Sequence, residues 1–362
     1  MKDRLIDIFL QLAQIEGLSQ NEKDVADYIF NFLEKIGLHP SFDDSSNITK
    51  SNTNNIICKV GDGGDFVLQS HMDTARSTAN LKPVITKSKI SSDGSSVLGV
   101  DNRAGIAILL CLAEKIIKEK IPTKNFTLAF TTCEETTLEG SKNIGLNGKT
   151  SFGFIFDSFL DPGKFVSSGL GAVSFKVEVF GKAAHSGISP EDGVNSLSIA
   201  VDALKQLNTG RVEKETTINF GVVKGGSAVN VVPEYVSIEG EIRSQDNKRV
   251  DHHLEMIKKI FKDSADKSGG EIKFSYKWDF KPYNLSKTDE VYRRIEEAIA
   301  RVNLTPKSEM SWGGSDANSL NERGIKSVNI GIGAKNPHSN EEYILIEHLM
   351  KSFEIAMALV KQ

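Results

Sequence analysis

Phe66-Val67-Leu68-Gln69-Ser70-His71-Met72-Asp73 is the stretch that decides the fold, together with Gly99-Val100-Asp101 and the run NRAGIAILLCLAEKIIK (102–118) that follows it. The first is a short apolar run ending in a histidine and an aspartate, which reads as a buried strand whose C-terminal end carries polar chemistry. The second has apolar residues over most of its circumference, as a helix packed on a sheet does. On either side, NNIICKVG (54–61) reads as a buried strand adjacent to FVLQSHMD. FTLAFTTCEE (126–135) reads as a further strand, and SFGFIFDS (151–158) as an apolar run ending in a carboxylate. Strands alternating with helices predict an α/β sheet, whose ligands gather at the carboxyl ends of its strands. The polar motifs of this chain sit at those ends.

Further out, helical spacing is predicted over residues 5–18 and 25–38. Near residue 170 the texture changes. AVSFKVEVFG (172–181) alternates like a half-exposed strand and GVNSLSIAVDALKQL (193–207) is an amphipathic helix. TINFGVVKGG (217–226), VVPEYVSIEGEIRS (231–244), a helix over 251–267 and EIKFSYKWDF (271–280) complete a small α+β domain. After it come a helix over 286–304, a strand-like VNIGIG (328–333) and a last helix over 341–361. The expected organisation is one domain formed by 1–168 and 285–362, with 169–284 inserted into it.

A chain of 362 residues has room for two cores. Its 44 Lys+Arg against 48 Asp+Glu leave a formal charge of −4, so no global field argues for nucleic acid or an anionic membrane, and a small-molecule partner is expected. MKDRLIDIFLQLAQIEGL (1–18) mixes charges with apolar residues and reads as an amphipathic helix, not as a secretory signal. No run approaches the ~20 apolar residues that span a bilayer. Cys58, Cys111 and Cys133 are odd in number and lack C-x-x-C spacing, which signals neither a disulfide framework nor a thiolate zinc site. A cytoplasmic location is expected.

His71 and Asp73 lie two apart at a strand end, so one can bind a metal while the other orients it. Asp101 precedes a helix, where a buried carboxylate caps the helix, pairs, or holds a cation. Glu134 and Glu135 end the strand FTLAFTTCEE (126–135); consecutive residues at a strand end point to opposite sides, which allows one carboxylate to coordinate and the other to stand over the open position as a base. Asp157 ends its strand in the same way, and His338 lies in the polar loop KNPHSNEEY (335–343). Singly, each has an ordinary structural explanation. Together they supply the mixed N/O donors that suit a pair of zinc, cobalt or manganese ions, with a bridging carboxylate and a hydroxide between the ions.

HMDT (71–74), GVDNRAG (99–105), CEETTLEGS (133–141), FIFDS (154–158) and NPHSNEEY (336–343) occur in the order found in the M20 metallopeptidases, and the chain resembles the peptidase T-like (tripeptide aminopeptidase-like) group of that family along its whole length. The resemblance implies a zinc-peptidase-type mixed sheet flanked by helices, with a smaller α+β lid and dimerisation domain inserted. It implies two zinc ions, with Co2+ or Mn2+ as substitutes: His71 and Asp157 on one, Glu135 and His338 on the other, Asp101 bridging. Asp73 would orient His71, and Glu134 would be the general base, passing a proton from the bridging water to the leaving amine. The peptide after the bridging aspartate is often cis in this family, which directs attention to Asp101-Asn102. In GKAAHSGISPEDGVNSL (181–197), His185 would reach a partner subunit's site and stabilise the oxyanion. Asn230 and Arg243 match the substrate-gripping pair, and Ser311-Trp312-Gly313-Gly314-Ser315-Asp316 resembles a segment near the substrate.

The M42 aminopeptidases share HMD and paired-glutamate motifs, but their extra domain enters before the bridging aspartate, whereas here it follows Asp157. Aspartate at position 157 leans toward peptide cleavage rather than deacylation. The expected activity is removal of the N-terminal residue from short peptides such as tripeptides by a homodimeric hydrolase, through attack of a metal-bridged hydroxide. The alternatives are an M20-type deacylase or amidohydrolase acting on N-acyl amino acids, and an inactive metal-binding scaffold.

Overall fold

The computed structural model describes residues 1–146 and 148–362, and the chain divides into two compact units, one formed by Met1–Gly169 with Tyr283–Gln362 and the other by Leu170–Pro282. The first is built on a mixed sheet of nine strands among the described residues. Its centre is four parallel strands in the order Phe126–Thr131, Phe66–His71, Phe152–Ser158 and Lys326–Gly331. Phe66–His71 and Phe126–Thr131 are buried at every position, which is why their sequences run apolar without alternation.

Ile56–Val60 pairs antiparallel with Phe126–Thr131, so the latter stands between Ile56–Val60 and Phe66–His71. The two are therefore neighbours in sequence but not in the sheet. Neither a parallel nor an antiparallel contact between them follows from two consecutive apolar runs, because the choice is made by long-range pairing with residues 126–131. Lys164–Gly169 and Lys307–Ser311 add two further strands that carry small and polar residues and give little apolar signal.

The helix Val100–Glu119 packs on Phe66–His71 and Phe152–Ser158 from one side and meets the helices Lys2–Ala13 and Ile346–Val360 on the other. Being enclosed, it is apolar nearly all round. Its close approach to the sheet depends on Gly105, where a Cβ would collide with the Phe156 carbonyl and sit 2.6 Å from the Ser70 hydroxyl. The final helix runs over Ile346–Val360 and not from residue 341. Residues Tyr343–Leu345 instead pair with Lys89–Ser92 in a small antiparallel sheet, and Ala334–Lys335 pairs with Tyr343–Leu345. That hairpin carries His338 at its tip.

The second unit is an antiparallel sheet in the order Gly210–Glu213, Thr216–Gly225, Tyr235–Ser244, Gly171–Phe180 and Glu271–Phe280. The helices Ser196–Leu204 and Asn247–Ser268 cover one face around Val177, Ile238, Ile257 and Phe261. Among the described residues no helix is long and apolar enough to cross a membrane.

The packing at Gly105 makes a stability prediction. Gly105→Ala gains helix propensity of about 1 kcal/mol but forces the helix off the sheet, and a net loss of about 1–3 kcal/mol is expected in chemical denaturation. An unchanged midpoint would show that the sheet accommodates the methyl group.

Candidate metal centre

The carboxyl ends of the central strands converge on one cluster. His71 ends its strand; its Nε2 lies 3.0 Å from Asp101 Oδ1 and 3.2 Å from Asp157 Oδ1. His338 Nε2 lies 3.2 Å from Asp101 Oδ2 and 3.1 Å from Glu135 Oε1. Each imidazole thus faces two carboxylates, and Asp101 gives one oxygen to each. Glu134 has an oxygen within 4.8 Å of donor atoms of both His71 and Asp157.

Local backbone places each group. Asp101 has extended dihedrals (φ −83, ψ 102), and the Asp101-Asn102 peptide is cis. The cap of the following helix is Asn102, whose Oδ1 accepts from the Gly105 N–H at 3.1 Å. Asp101 is thereby spared for the cluster. Asp157 is steadied from the neighbouring parallel strand, where Asn329 Nδ2 donates to Oδ2 at 3.0 Å.

Glu134 and Glu135 do not lie on a strand. The strand stops at Thr131, and Cys133 takes φ 53. Their side chains are therefore separated by a turn and not by strand alternation. The turn is held by Asp73, whose Oδ1 accepts from Glu134 N at 3.0 Å and whose Oδ2 accepts from Glu135 N at 3.1 Å and from Ser19 Oγ at 2.6 Å. On the other flank, Glu22 Oε1 accepts from Cys133 N at 2.9 Å. His71 Nδ1 is nearest to the main-chain oxygen of Asp73 (3.0 Å), with the carboxylate Oδ1 at 3.4 Å. The shorter contact fixes the ring, so Asp73 orients His71 largely through its carbonyl while its carboxylate pins the glutamate turn.

Three residues support the cluster: Glu342 and Arg103, to which sequence reading assigned no role, and Asp316, expected in a segment near the substrate. Glu342 is 1% exposed; its carboxylate accepts from Gly99 N at 2.6 Å and Asp101 N at 3.2 Å, an anion gripped by backbone N–H groups that ties the His338 hairpin to the Asp101 turn. Burial pushes its pKa up to about 7. Arg103, fully buried, donates to the carbonyls of Met72 and Ile15 behind Asp73. Asp316, at the head of the helix Asp316–Glu322, accepts from Gln69 Nε2 (2.8 Å) and Thr131 Oγ1 (2.6 Å), joining the two strands that lead to His71 and the glutamate turn. The signal for Glu342 was its place in NPHSNEEY, where an acid precedes an apolar run.

Electrostatically the cluster demands positive charge. Burial raises Glu134 well above the usual carboxylate range, with Asp157, Glu135 and Asp316 adding to the effect against His71. Burial also raises Glu135 and Asp157. Hydrogen bonds to Asp101 and Glu135 hold the imidazolium form of His338 up to about 10. Glu135 Oε1 is buried and meets His338 Nε2, which it shares with Asp101. Donor atoms 3.0–3.2 Å apart are close to the roughly 3.3 Å edge of a tetrahedron with metal–donor bonds of about 2.0 Å. Buried like charges and N/O donors fit divalent cations.

Asn230, His185 and Arg243 belong to the second unit. His185 forms an isolated bridge with Val231, and Ser186 N donates to the Asn230 carbonyl at 3.0 Å, so His185 and Asn230 are brought together on adjoining loops. Arg243 lies on Tyr235–Ser244, its Nε 2.7 Å from Glu241 Oε1 and its Nη2 2.8 Å from Oε2, with the guanidinium 5.9 Å from the Phe280 ring centre.

Residues 170–268 match the model of a peptidase dimerisation domain, and residues 55–184 match that of peptidase family M28. A tripeptidase of Staphylococcus aureus is 28% identical, superposes with a TM-score of 0.94, and covers 100% of this chain and 98% of its own. The aminopeptidase PepT of Bacillus cereus is 29% identical with a TM-score of 0.91, over 99% and 98%. Peptidase T of Geobacillus thermodenitrificans is 26% identical over 90% of this chain and 80% of its own length. In sequence and in fold the chain is similar to the peptidase T-like M20 metallopeptidases. It is accordingly a hydrolase, and its mixed α/β architecture with the dimerisation domain is that of its structural relatives.

For this metallopeptidase, the backbone grip of Glu342 predicts a specific loss. Glu342→Gln weakens metal binding by about 10–100-fold in chelator competition, the range for partners that orient ligands, with an unchanged circular dichroism spectrum. Undiminished affinity would relegate Glu342 to packing.

Proposed function

We propose that the chain is an aminopeptidase that removes the N-terminal residue from short peptides such as tripeptides, using two zinc ions. The observation that carries this reading is the sharing of Asp101 between two histidine–carboxylate sets, His71/Asp157 and His338/Glu135, with Glu134 beside the first. In it, His71 and Asp157 would hold one ion, Glu135 and His338 the other, and Asp101 would be shared by both. The ions, when bound, polarise the scissile carbonyl and lower the pKa of the attacking water.

The chain's own groups do the rest. Glu134 removes the proton from that water and returns it to the leaving amine; its burial, which favours the protonated form, suits the second half of that exchange. Asp73 keeps His71 in one tautomer and holds Glu134 and Glu135 at their separate tasks. His185 of the partner subunit donates to the developing oxyanion, and Asn230 and Arg243 grip substrate. The pairing of the His185 and Asn230 loops and the match to a dimerisation domain support that part of the proposal. The buried, unpaired Cys58, Cys111 and Cys133 fit a reducing cytoplasm.

The decisive experiment compares a tripeptide, a dipeptide and an N-acetyl amino acid as substrates of zinc-loaded wild type and Glu134→Ala. Release of the N-terminal residue from the tripeptide is expected, with a loss of several orders of magnitude in the variant at unchanged metal content. Cleavage of the acetylated substrate alone would move the reading to deacylation, and a fully active Glu134→Ala would remove the base assignment.

A further inference from the structure

Around the cluster, positive charge is scarce. Arg103 is buried with its guanidinium turned to main-chain carbonyls, and Lys335 is bound to Asp161 at 2.5 Å. Arg76 differs. It lies five residues after His71 on an exposed loop, and its Nη1 donates to the main-chain oxygen of His338 at 3.2 Å. Among the described residues that neutral carbonyl is its one hydrogen-bond partner, and no carboxylate lies within ion-pair distance of it. The loop beneath is fixed: Thr74 Oγ1 donates to the Arg76 carbonyl at 2.9 Å, and Ser77 Oγ donates to Glu16 Oε1 at 2.5 Å. The guanidinium is held at the rim of the centre, against a residue whose ring belongs to the cluster, with most of its donors uncommitted.

A short peptide brings a carboxylate to a site already crowded with Asp101, Glu134, Glu135 and Asp157. A guanidinium at the rim offers that end a charge-assisted pair. In cleavage after the first residue of a tripeptide, the terminal carboxylate lies two residues beyond the scissile carbonyl, roughly 7 Å in extended chain. Arg76 rests on the main chain of His338, and the ring of that same residue lies 3.2 Å from Asp101 Oδ2, so one residue separates the guanidinium from the cluster. Arginine has the fork that matches a carboxylate with two parallel N–H donors. The fork of Arg243, by contrast, is engaged with both oxygens of Glu241.

We infer that Arg76 is a specificity-determining residue that reads the free C-terminal carboxylate of the peptide substrate. The inference rests on the aminopeptidase reading above and deepens it: the enzyme is selective for peptides short enough to place their terminal carboxylate at this rim. A tripeptide fits, a longer peptide overshoots, and a C-terminal amide forfeits the charge.

The test measures kcat/KM for a tripeptide and for its C-terminal amide, with wild type, Arg76→Gln and Arg76→Lys, all with two metals bound. Wild type is expected to prefer the free acid by about 10- to 100-fold, the range for a lost charge-assisted pair. In Arg76→Gln the preference collapses toward one through a higher KM for the acid, while the amide is hydrolysed much as before. Arg76→Lys restores part of it. An active wild type whose acid-to-amide ratio survives Arg76→Gln overturns the inference, and equal losses on both substrates do so too, since they mark a residue that only steadies the His338 loop. A wild type that cleaves neither peptide overturns the aminopeptidase reading and this one with it.

Discussion

Like charge held at short range is the constraint on which the rest of this structure depends. Two carboxylates about 4 Å apart repel by about 4 kcal/mol at an effective dielectric of about 20, and Asp101, Glu134, Glu135 and Asp157 converge on two imidazoles in a largely buried place. A flexible chain would relieve that by moving the groups apart. Here each is tied down instead: the backbone of Asp101 by Glu342, the backbone of the glutamate turn by Asp73 and Glu22, and the Asp157 carboxylate by the Asn329 side chain. The repulsion then remains in the folded state as affinity for cations, because a site that cannot relax gains more from neutralisation than one that can.

The supports are themselves carboxylates, which adds to the difficulty and explains their placement. Asp73 and Glu342 each receive backbone N–H groups, so their charge is met by peptide dipoles and not by lysine or arginine side chains that would compete with a metal. Arg103 is the exception and stands behind Asp73, bonded to the carbonyls of Met72 and Ile15, where it can balance charge without reaching the donor atoms. Cation and cluster are separated by the very turn they stabilise.

Much of this was legible in the sequence. Apolar runs ending in His71 and Asp157, and Asp101 before a helix, read directly, because a strand buried on both faces and its polar end are local features. The reading of Glu134 and Glu135 as successive strand residues failed for a physical reason: the strand stops at Thr131, and the left-handed Cys133 turn is imposed by Asp73 and Glu22, which are distant in sequence. The same holds for Glu342. An acidic residue in front of an apolar helix reads as the helix's first turn, yet its carboxylate is drawn to the N–H groups of Gly99 and Asp101, and Tyr343–Leu345 becomes a strand. Propensity yields wherever a distant backbone offers a charged side chain better hydrogen bonds.

The two histidines show how differently the centre treats its halves. His71 is buried, its Nδ1 anchored and its strand enclosed by neighbours; His338 stands at a hairpin tip with half its side chain exposed and φ 61. Its hairpin is fastened by the pairing of Tyr343–Leu345 with Lys89–Ser92, by Glu342, and by Arg76 at its own carbonyl. A side chain on a strand end is positioned by the core, whereas one on a hairpin is positioned by contacts of this kind. The half of the cluster that contains His338 therefore rests on a few discrete contacts, and the half that contains His71 rests on the sheet itself.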